Sequence, residues 1–108
     1  MSKSSAKGAR AGLADRETFL FRLYIAGNTA NSVQAITNLQ AICQKHLRDR
    51  HKIEMVDILQ EPLRALSEGV LVTPSLVRVS PLPVRTIVGD LSDTSIVLRT
   101  LGLEEGAK

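Results

Sequence analysis

Residues 19–26 are Phe-Leu-Phe-Arg-Leu-Tyr-Ile-Ala, and residues 27–29 that follow are Gly-Asn-Thr. Alternate positions of the first stretch share one face, and the residues between them are also mostly apolar. This pattern is typical of a central strand covered on both sides. Within residues 35–47, apolar residues recur at spacings of three and four, which predicts a helix. Asn31 or Ser32 is expected to cap its start. A buried strand followed by a helix predicts an α/β fold.

The remaining chain supplies five more elements. The pattern predicts a strand at 53–59, a short helix from Pro62 to Gly69, two strands at 76–79 and 84–88, and a last helix at 93–103. The order strand-helix-strand-helix-strand-strand-helix is that of the thioredoxin-like fold, an α/β sandwich with one βαβ unit and one hairpin.

The positive net charge belongs to the first residues of the chain. The protein has a formal net charge of +3, and residues 1–14 contain Lys3, Lys7 and Arg10 but no acid. From residue 15 onwards the basic and acidic residues balance. We predict a disordered basic tail at 1–16 and one domain at 17–104. Nucleic-acid binding is not expected, because it needs a basic stripe on the domain itself.

Membrane insertion and secretion are not expected either. No apolar run approaches the roughly 20 residues that span a bilayer, and the first residues lack the apolar core of a secretory signal. Cys43 is the only cysteine, so the chain has no internal disulfide and suits a reducing compartment. We expect a cytoplasmic protein.

The sequence contains no recognisable active site. A thioredoxin-like oxidoreductase carries a Cys-x-x-Cys pair after its first strand, where the helix N-terminus lowers a thiol pKa, but residues 27–32 contain no cysteine. Cys43 lies on the apolar stripe and is expected in the core. His46 and His51 have no further ligands for a metal site. We expect neither an enzyme nor a cofactor.

Four segments together resemble one family. They are Leu-Tyr-Ile-Ala-Gly-Asn-Thr-x-Asn-Ser at 23–32, Val-Asp-Ile-Leu at 56–59 followed by a proline, Val-Thr-Pro-Ser-Leu at 72–76, and Pro-Leu-Pro-Val-Arg at 81–85 running on to Gly-Asp-Leu-Ser-Asp at 89–93. Their order and spacing over residues 18–103 resemble KaiB, the small protein of the cyanobacterial circadian clock.

The resemblance implies a non-catalytic regulator. KaiB-family proteins bind the ring-shaped ATPase KaiC, compete there with the kinase SasA and sequester KaiA. They occupy two folds, which are a tetrameric ground state and a thioredoxin-like monomer that binds KaiC. For this chain the resemblance implies a KaiC-like ATPase as partner, KaiA-like or SasA-like proteins where the host has them, and a homo-oligomeric ground state, tetramer or dimer. The ground-state fold, with a rearranged C-terminal half, is the alternative to the thioredoxin-like fold.

The chain also departs from the family pattern. Ala30 stands where the family usually has proline, and Glu54 and Gln34 stand where it often has basic residues that contact KaiC. These differences favour a divergent copy outside a standard clock, serving a KaiC homologue in stress adaptation.

Four polar residues are candidates for partner contact: Arg22, Asn28, Lys52 and Glu54. They lie around the second strand and the start of the first helix. The second strand is also expected at a sheet edge, where it could accept a partner strand.

A second group of residues is expected at turns and at the points where the two folds diverge. Its members supply permissive or pre-set φ angles, so any tight turn would also select them. X-Pro bonds that are cis in only one fold would add slow isomerisation. The group consists of Gly27, Pro74, Pro81, Pro83, Gly89, Asp90 and Gly102.

Two other functions stay open at this point. One is a free-standing thioredoxin-like sensor or adaptor domain that binds another kinase or receptor. The other is a redox enzyme, which the missing cysteine pair disfavours.

Overall fold

The computed structural model of the protein describes residues 18–103. Four strands and three helices follow one another in the order predicted from the sequence. They are β1 (Phe19–Ile25), α1 (Ala30–His46), β2 (His51–Asp57), α2 (Pro62–Ser67), β3 (Ser75–Ser80), β4 (Arg85–Val88) and α3 (Thr94–Leu101). The tail predicted at 1–16, and the domain limits at 17 and 104, lie outside the described residues. No helix within residues 18–103 is long and apolar enough to cross a membrane.

The four strands form one sheet in the order β2-β1-β3-β4. β1 and β2 run parallel, as a βαβ unit requires, with Phe19 opposite His51 and Ile25 opposite Asp57. β3 runs antiparallel to β1 and to β4. β2 therefore lies at one edge of the sheet, as the sequence predicted, and β4 lies at the other.

The main core lies between one face of the sheet and the helices α1 and α3. Burial of its aliphatic side chains is the principal favourable contribution to folding. Strand β1 lies between β2 and β3, so the side chains of its alternate residues enter this core and are fully or almost fully buried. The core contains Phe21, Leu23, Ile25, Ala35, Leu39, Ile42, Cys43, Leu47, Leu76, Leu91, Val97 and Leu101.

The opposite face of the sheet is only partly covered. The six-residue helix α2 lies over it, and Ala65 is the only residue of that helix that is buried. Val56 and Tyr24 are buried on the same side, whereas Leu63 and Leu66 point outwards and are 80% and 77% exposed. Helix α2 therefore adds little apolar burial, and its position depends on polar contacts described below.

Helix α1 begins at a cap that the sequence pattern did not predict. The cap is Thr29, whose Oγ1 accepts from the backbone N–H of Ser32 at 3.4 Å. Asn31 and Ser32, the predicted caps, lie inside the first turn. Ser32 is fully buried, and its Oγ accepts from Ala26 N at 3.0 Å and from Thr29 Oγ1 at 2.8 Å. The prediction was wrong because the strand-to-helix turn is shorter than the sequence suggested.

Strand β2 ends at Asp57 and not at Leu59, because the Asp57 side chain begins a turn. Its Oδ1 accepts from Leu59 N at 2.9 Å, and its backbone oxygen accepts from Gln60 N at 2.9 Å. Helix α3 lies within the predicted range 93–103 and ends at Leu101. Asp93 caps its start by accepting from Ile96 N, and Gly102 ends it in the left-handed region at φ 77°.

The remaining turn residues are found at bends of the chain. Gly27 and Gly89 have φ angles of 58° and 121°, and the peptide bonds before Pro74, Pro81 and Pro83 are cis. Asp90 Oδ1 accepts from Ser92 N at 3.0 Å. These geometries give each residue a role in a turn; they do not bear on a change between two folds.

Candidate partner-binding surface

Two of the four candidate contact residues form an ion pair. Arg22 on β1 donates from Nε to Glu54 Oε1 on β2 at 2.8 Å. Lys52 precedes Glu54 by two positions, so it lies on the same face of β2 and is exposed. Arg22 is half-buried and Glu54 is exposed. Three of the four predicted residues therefore lie together on the face of the sheet that α2 partly covers.

Helix α2 extends this ion pair into a network that sequence reasoning missed. Arg64 donates from Nη1 to Glu54 Oε2 at 2.9 Å and from Nε to Glu68 Oε2 at 3.0 Å. Tyr24, in the centre of the sheet, donates its hydroxyl proton to Glu68 Oε1. The available signal was the spacing of Glu61, Arg64 and Glu68, which places three charges on one helix face. The contact with Glu54 depends on how the helix lies on the sheet.

The network fixes the charge states of its members. Hydrogen bonds from Arg64, and then from Arg22, lower the pKa of Glu54 to about 2. The hydrogen bond from Tyr24, and then that from Arg64, lowers the pKa of Glu68. Burial, and then the bond to Glu68, raises the pKa of Tyr24. At neutral pH the surface therefore presents two carboxylates held by two guanidinium groups and one neutral phenol.

Asn28 lies apart from this group, in the loop between β1 and α1. The loop is anchored from the neighbouring strand, because Asp57 Oδ1 accepts from the backbone N–H of Gly27 at 3.1 Å as well as from Leu59 N. Gly27 has a left-handed φ of 58°, which favours glycine. Asn28 is exposed at the carboxyl end of the parallel pair. The four predicted residues thus form one cluster of three and one separate loop position.

The place where a thioredoxin-like enzyme would carry its thiols contains hydroxyl groups here. Thr29 and Ser32 occupy the start of α1, while Cys43 is fully buried in the last turn of the helix. Burial raises the pKa of the Cys43 thiol to about 12. Within residues 18–103, no group of three or more His, Cys, Asp or Glu side chains is arranged to hold a metal ion.

A shallow groove continues the network towards β4. Its volume is about 620 Å³, and Tyr24, Val77 and Val88 lie along it. Val88 is 59% exposed, because α2 does not reach this half of the sheet. The partly covered face therefore joins a charged region over β1 and β2 to an apolar region over β3 and β4.

Comparison with solved structures shows the fold. The chain is similar to the N-terminal domain of Synechococcus elongatus SasA, with a TM-score of 0.66 and 19% sequence identity, covering 99% of this chain and 100% of that domain. It is also similar to a chloroplastic thioredoxin z, with a TM-score of 0.66, 18% identity and coverage of 88% and 86%. The thioredoxin-like fold predicted from the element order is therefore confirmed.

Comparison of sequences shows the family. The KaiB domain pattern matches residues 22–103. The chain is 44% identical over 90 residues to the circadian clock protein KaiB3 of Synechocystis sp., which covers 83% of this chain and 86% of that protein. It is 42% identical over 94 residues to the circadian clock oscillator protein KaiB of Synechococcus elongatus, covering 87% and 92%. The chain belongs to the KaiB family.

Proposed function

We propose that the protein is a non-catalytic regulator that binds a KaiC-type ATPase and modulates clock or stress-adaptation signalling in the cytoplasm. One observation carries the proposal, namely the match of the KaiB domain to residues 22–103, supported by 44% identity to a curated circadian clock protein. The absence of thiols from residues 27–32 and the burial of Cys43 support a binding role over a redox role.

The proposed contact surface consists of Arg22, Lys52 and Glu54 together with Asn28. Two features of its geometry suit recognition. Glu54 is held by two guanidinium groups, so little side-chain entropy remains to be lost on binding. The outer edge of β2 also has no neighbouring strand within the described sheet, so its backbone groups can pair with a partner.

The experiment is a pull-down with the KaiC-like ATPase encoded by the same genome, in ATP and in ADP. Lys52→Glu should weaken the complex, because the reversed charge adds to that of Glu54 on the same strand face. Arg85→Glu is the matched control, since Arg85 is exposed on β4 at the opposite edge of the sheet. Removal of residues 1–16 should leave binding nearly intact.

Two results would contradict the proposal at different levels. Failure of the full-length protein to bind the ATPase in either nucleotide state would overturn the function itself. Loss of binding on removal of residues 1–16, with Lys52→Glu still binding normally, would leave the function standing but show that the contact surface is wrong.

Further partners follow from the family relationship. We propose that SasA-like proteins compete for the same ATPase surface, that KaiA-like proteins join the complex where the host has them, and that the free protein forms a dimer or tetramer. Light scattering during size-exclusion chromatography, at several concentrations and with the ATPase added, tests the oligomeric part. A monomeric mass at every concentration would contradict it.

A further inference from the structure

The carboxylates in the described part of the chain are nearly all engaged. Glu54, Glu61 and Glu68 pair with Arg64. Three others accept backbone N–H groups at turns or at a helix start: Asp57, Asp90 and Asp93. Among residues 18–103 this leaves Asp49 as the seventh acid. Within residues 18–103, therefore, Asp49 is the one carboxylate not engaged by these contacts.

Cations are concentrated at the junction of α1 and β2. Residues 45–52 are Lys-His-Leu-Arg-Asp-Arg-His-Lys, a stretch with four cationic residues and one acidic residue and a formal net charge of +3 with the histidines neutral. Lys45, Arg48 and Lys52 are exposed, and none of them pairs with a carboxylate within residues 18–103. We call residues 45–52 the basic turn.

The basic turn is fixed to the core. Leu47 is fully buried, and its backbone N–H donates to Cys43 O at 2.8 Å. Its carbonyl oxygen accepts from Arg50 N at 2.9 Å, and His51 Nδ1 lies 2.9 Å from the same oxygen. The exposed cations therefore project from a defined backbone, which lowers the entropy lost when a ligand binds.

An apolar cleft lies directly beside the basic turn. It runs between α1 and α3, has a volume of about 260 Å³, and is lined by Ala41, Ile42, Leu91 and Leu98. Lys45 lines it as well, so one cation of the basic turn stands at the cleft. A ligand that combines negative charge with one apolar side chain matches this arrangement.

The surface fits a polypeptide better than a nucleic acid. Single-stranded nucleic acids bind through exposed aromatic rings on which bases stack, but Phe21 and Tyr24 are buried and Phe19 packs against the core. Duplex binding needs cations along a phosphate backbone, whereas the exposed cations here form one short turn. The apolar cleft would also have no counterpart on a phosphate backbone.

We propose that the basic turn and the α1–α3 cleft together bind an acidic segment of a partner protein, with an apolar side chain of that segment inserted between the helices. This site goes beyond the proposed ATPase surface, with which it shares Lys52 alone. It can be tested separately, because Lys45 and Arg48 are not part of that surface.

The test is a fluorescence-anisotropy titration of the full chain with an oligoglutamate peptide that carries one central leucine. Lys45→Glu/Arg48→Glu should weaken binding at least about tenfold, since two ion pairs are lost and two repulsions are added. Arg85→Glu, the matched exposed control, should bind as the parent does. Replacing the peptide's leucine by serine should weaken binding about tenfold, because the apolar contact is lost.

Two additional measurements separate the electrostatic part from the apolar part. Binding should weaken strongly between about 0.1 M and about 1 M sodium chloride, as the Debye length falls from about 10 Å to about 3 Å. Ala41→Trp, at an exposed position in the cleft, should abolish the preference for leucine while leaving the salt dependence. This variant also provides a test if the double charge reversal fails to fold.

Three results would overturn the proposal. The first is equal binding by Lys45→Glu/Arg48→Glu and Arg85→Glu. The second is no difference between the leucine and serine peptides with the parent protein. The third is tighter binding of duplex DNA or of anionic lipid vesicles than of the peptide in the same buffer.

Discussion

Arg78 holds the carboxyl end of the last helix, because its Nη1 donates to the backbone oxygen of Leu101 at 2.8 Å. The same guanidinium donates from Nη2 to Pro83 O at 2.6 Å, so it also holds the turn between β3 and β4. Arg78 is 7% exposed and lies on the core face of β3. One buried cation thus ties α3 to the hairpin. It pairs a turn carbonyl with the Leu101 carbonyl, one of those that the end of a helix leaves without intrahelical partners.

Arg78→Ala should lower the free energy of unfolding by about 2–4 kcal/mol, because each hydrogen bond from a charged donor contributes about 1.5–3 kcal/mol and two carbonyls lose their donor. Urea denaturation followed by circular dichroism measures the loss. Arg85→Ala is the control, since Arg85 is the exposed partner of Arg78 on the neighbouring strand and should cost less than about 0.5 kcal/mol. Equal effects of the two substitutions would contradict the role of Arg78.

The ion network on the other face predicts a dependence of stability on pH. The pKa of Glu54 is about 2 in the folded protein, below its value in the unfolded chain. The ionised Glu54 carboxylate therefore stabilises the folded protein fully above about pH 4.3, the pKa of glutamate in an unfolded chain. This stabilisation is lost as the pH falls towards 2. Chemical denaturation at a series of pH values measures the free energy of unfolding. As the pH falls from about 5 to about 2, this free energy should decline less for Glu54→Gln than for the parent. Because the site is exposed, high salt should reduce the difference; parallel curves at low salt would contradict the prediction.

The loop that carries Asn28 depends on Asp57. Asp57→Ala removes the acceptor of two backbone N–H groups, those of Gly27 and Leu59, and should cost about 1–3 kcal/mol. Asp57→Asn keeps an oxygen at the same position and should cost less. Hydrogen exchange of the Gly27 and Leu59 amides measures the effect locally. Unchanged protection of both amides in Asp57→Ala would show that the loop is held by other contacts.

Cys43 should be chemically inert in the folded protein. With a thiol pKa of about 12, its thiolate fraction at pH 8 is only about one in ten thousand. Labelling with a thiol-reactive disulfide should therefore follow the rate of unfolding and become fast in urea. Insulin-reduction assays with dithiothreitol should stay at background. Turnover above background that disappears in Cys43→Ser would contradict a non-catalytic role.

The sequence predicts those parts of the fold that are determined by residues close together in the chain. The alternation from Phe19 to Ile25 places a central strand, and Gly102 ends α3 whatever surrounds it, because its left-handed φ is a local property. The predicted N-cap of α1 was wrong because several polar residues near that turn, Thr29 among them, are suitable caps. Which of them caps α1 depends on the depth to which Ser32 is buried.

The contacts that position the candidate surface could not be predicted in the same way. Arg78 lies on the core face of β3, although alternation along this strand marks the opposite face, with Val77 and Val79, as the apolar one. Its partner Leu101 is 23 residues away. Arg64 reaches Glu54 only because α2 crosses the sheet in one orientation. Backbone carbonyls and helix orientations leave no pattern in the sequence, so polar contacts between distant elements become visible only in three dimensions.

The last prediction concerns the second fold expected from the family. The thioredoxin-like state needs residues 94–101 as a helix, and their local preference for helix is weak. Four of them are β-branched, and each costs up to about 0.7 kcal/mol relative to alanine; they are Thr94, Ile96, Val97 and Thr100. The helix is stabilised instead by burial of Val97 and Leu101 and by the hydrogen bond from Arg78. Two packings can coexist only when their free energies differ by a few kcal/mol.

NMR spectra of the free protein should therefore show two slowly exchanging sets of peaks for residues 62–103 and nearly one set for residues 19–47, which are strand and helix in both states. Ile96→Ala should raise the thioredoxin-like population about twofold, because Ile96 is 48% exposed and alanine favours helix without a large loss of packing. Arg78→Met should shift the population the other way, because the donor to Leu101 is lost only in the thioredoxin-like state. A single set of peaks, unchanged on dilution, on adding the ATPase and in both variants, would mean that this chain keeps one fold.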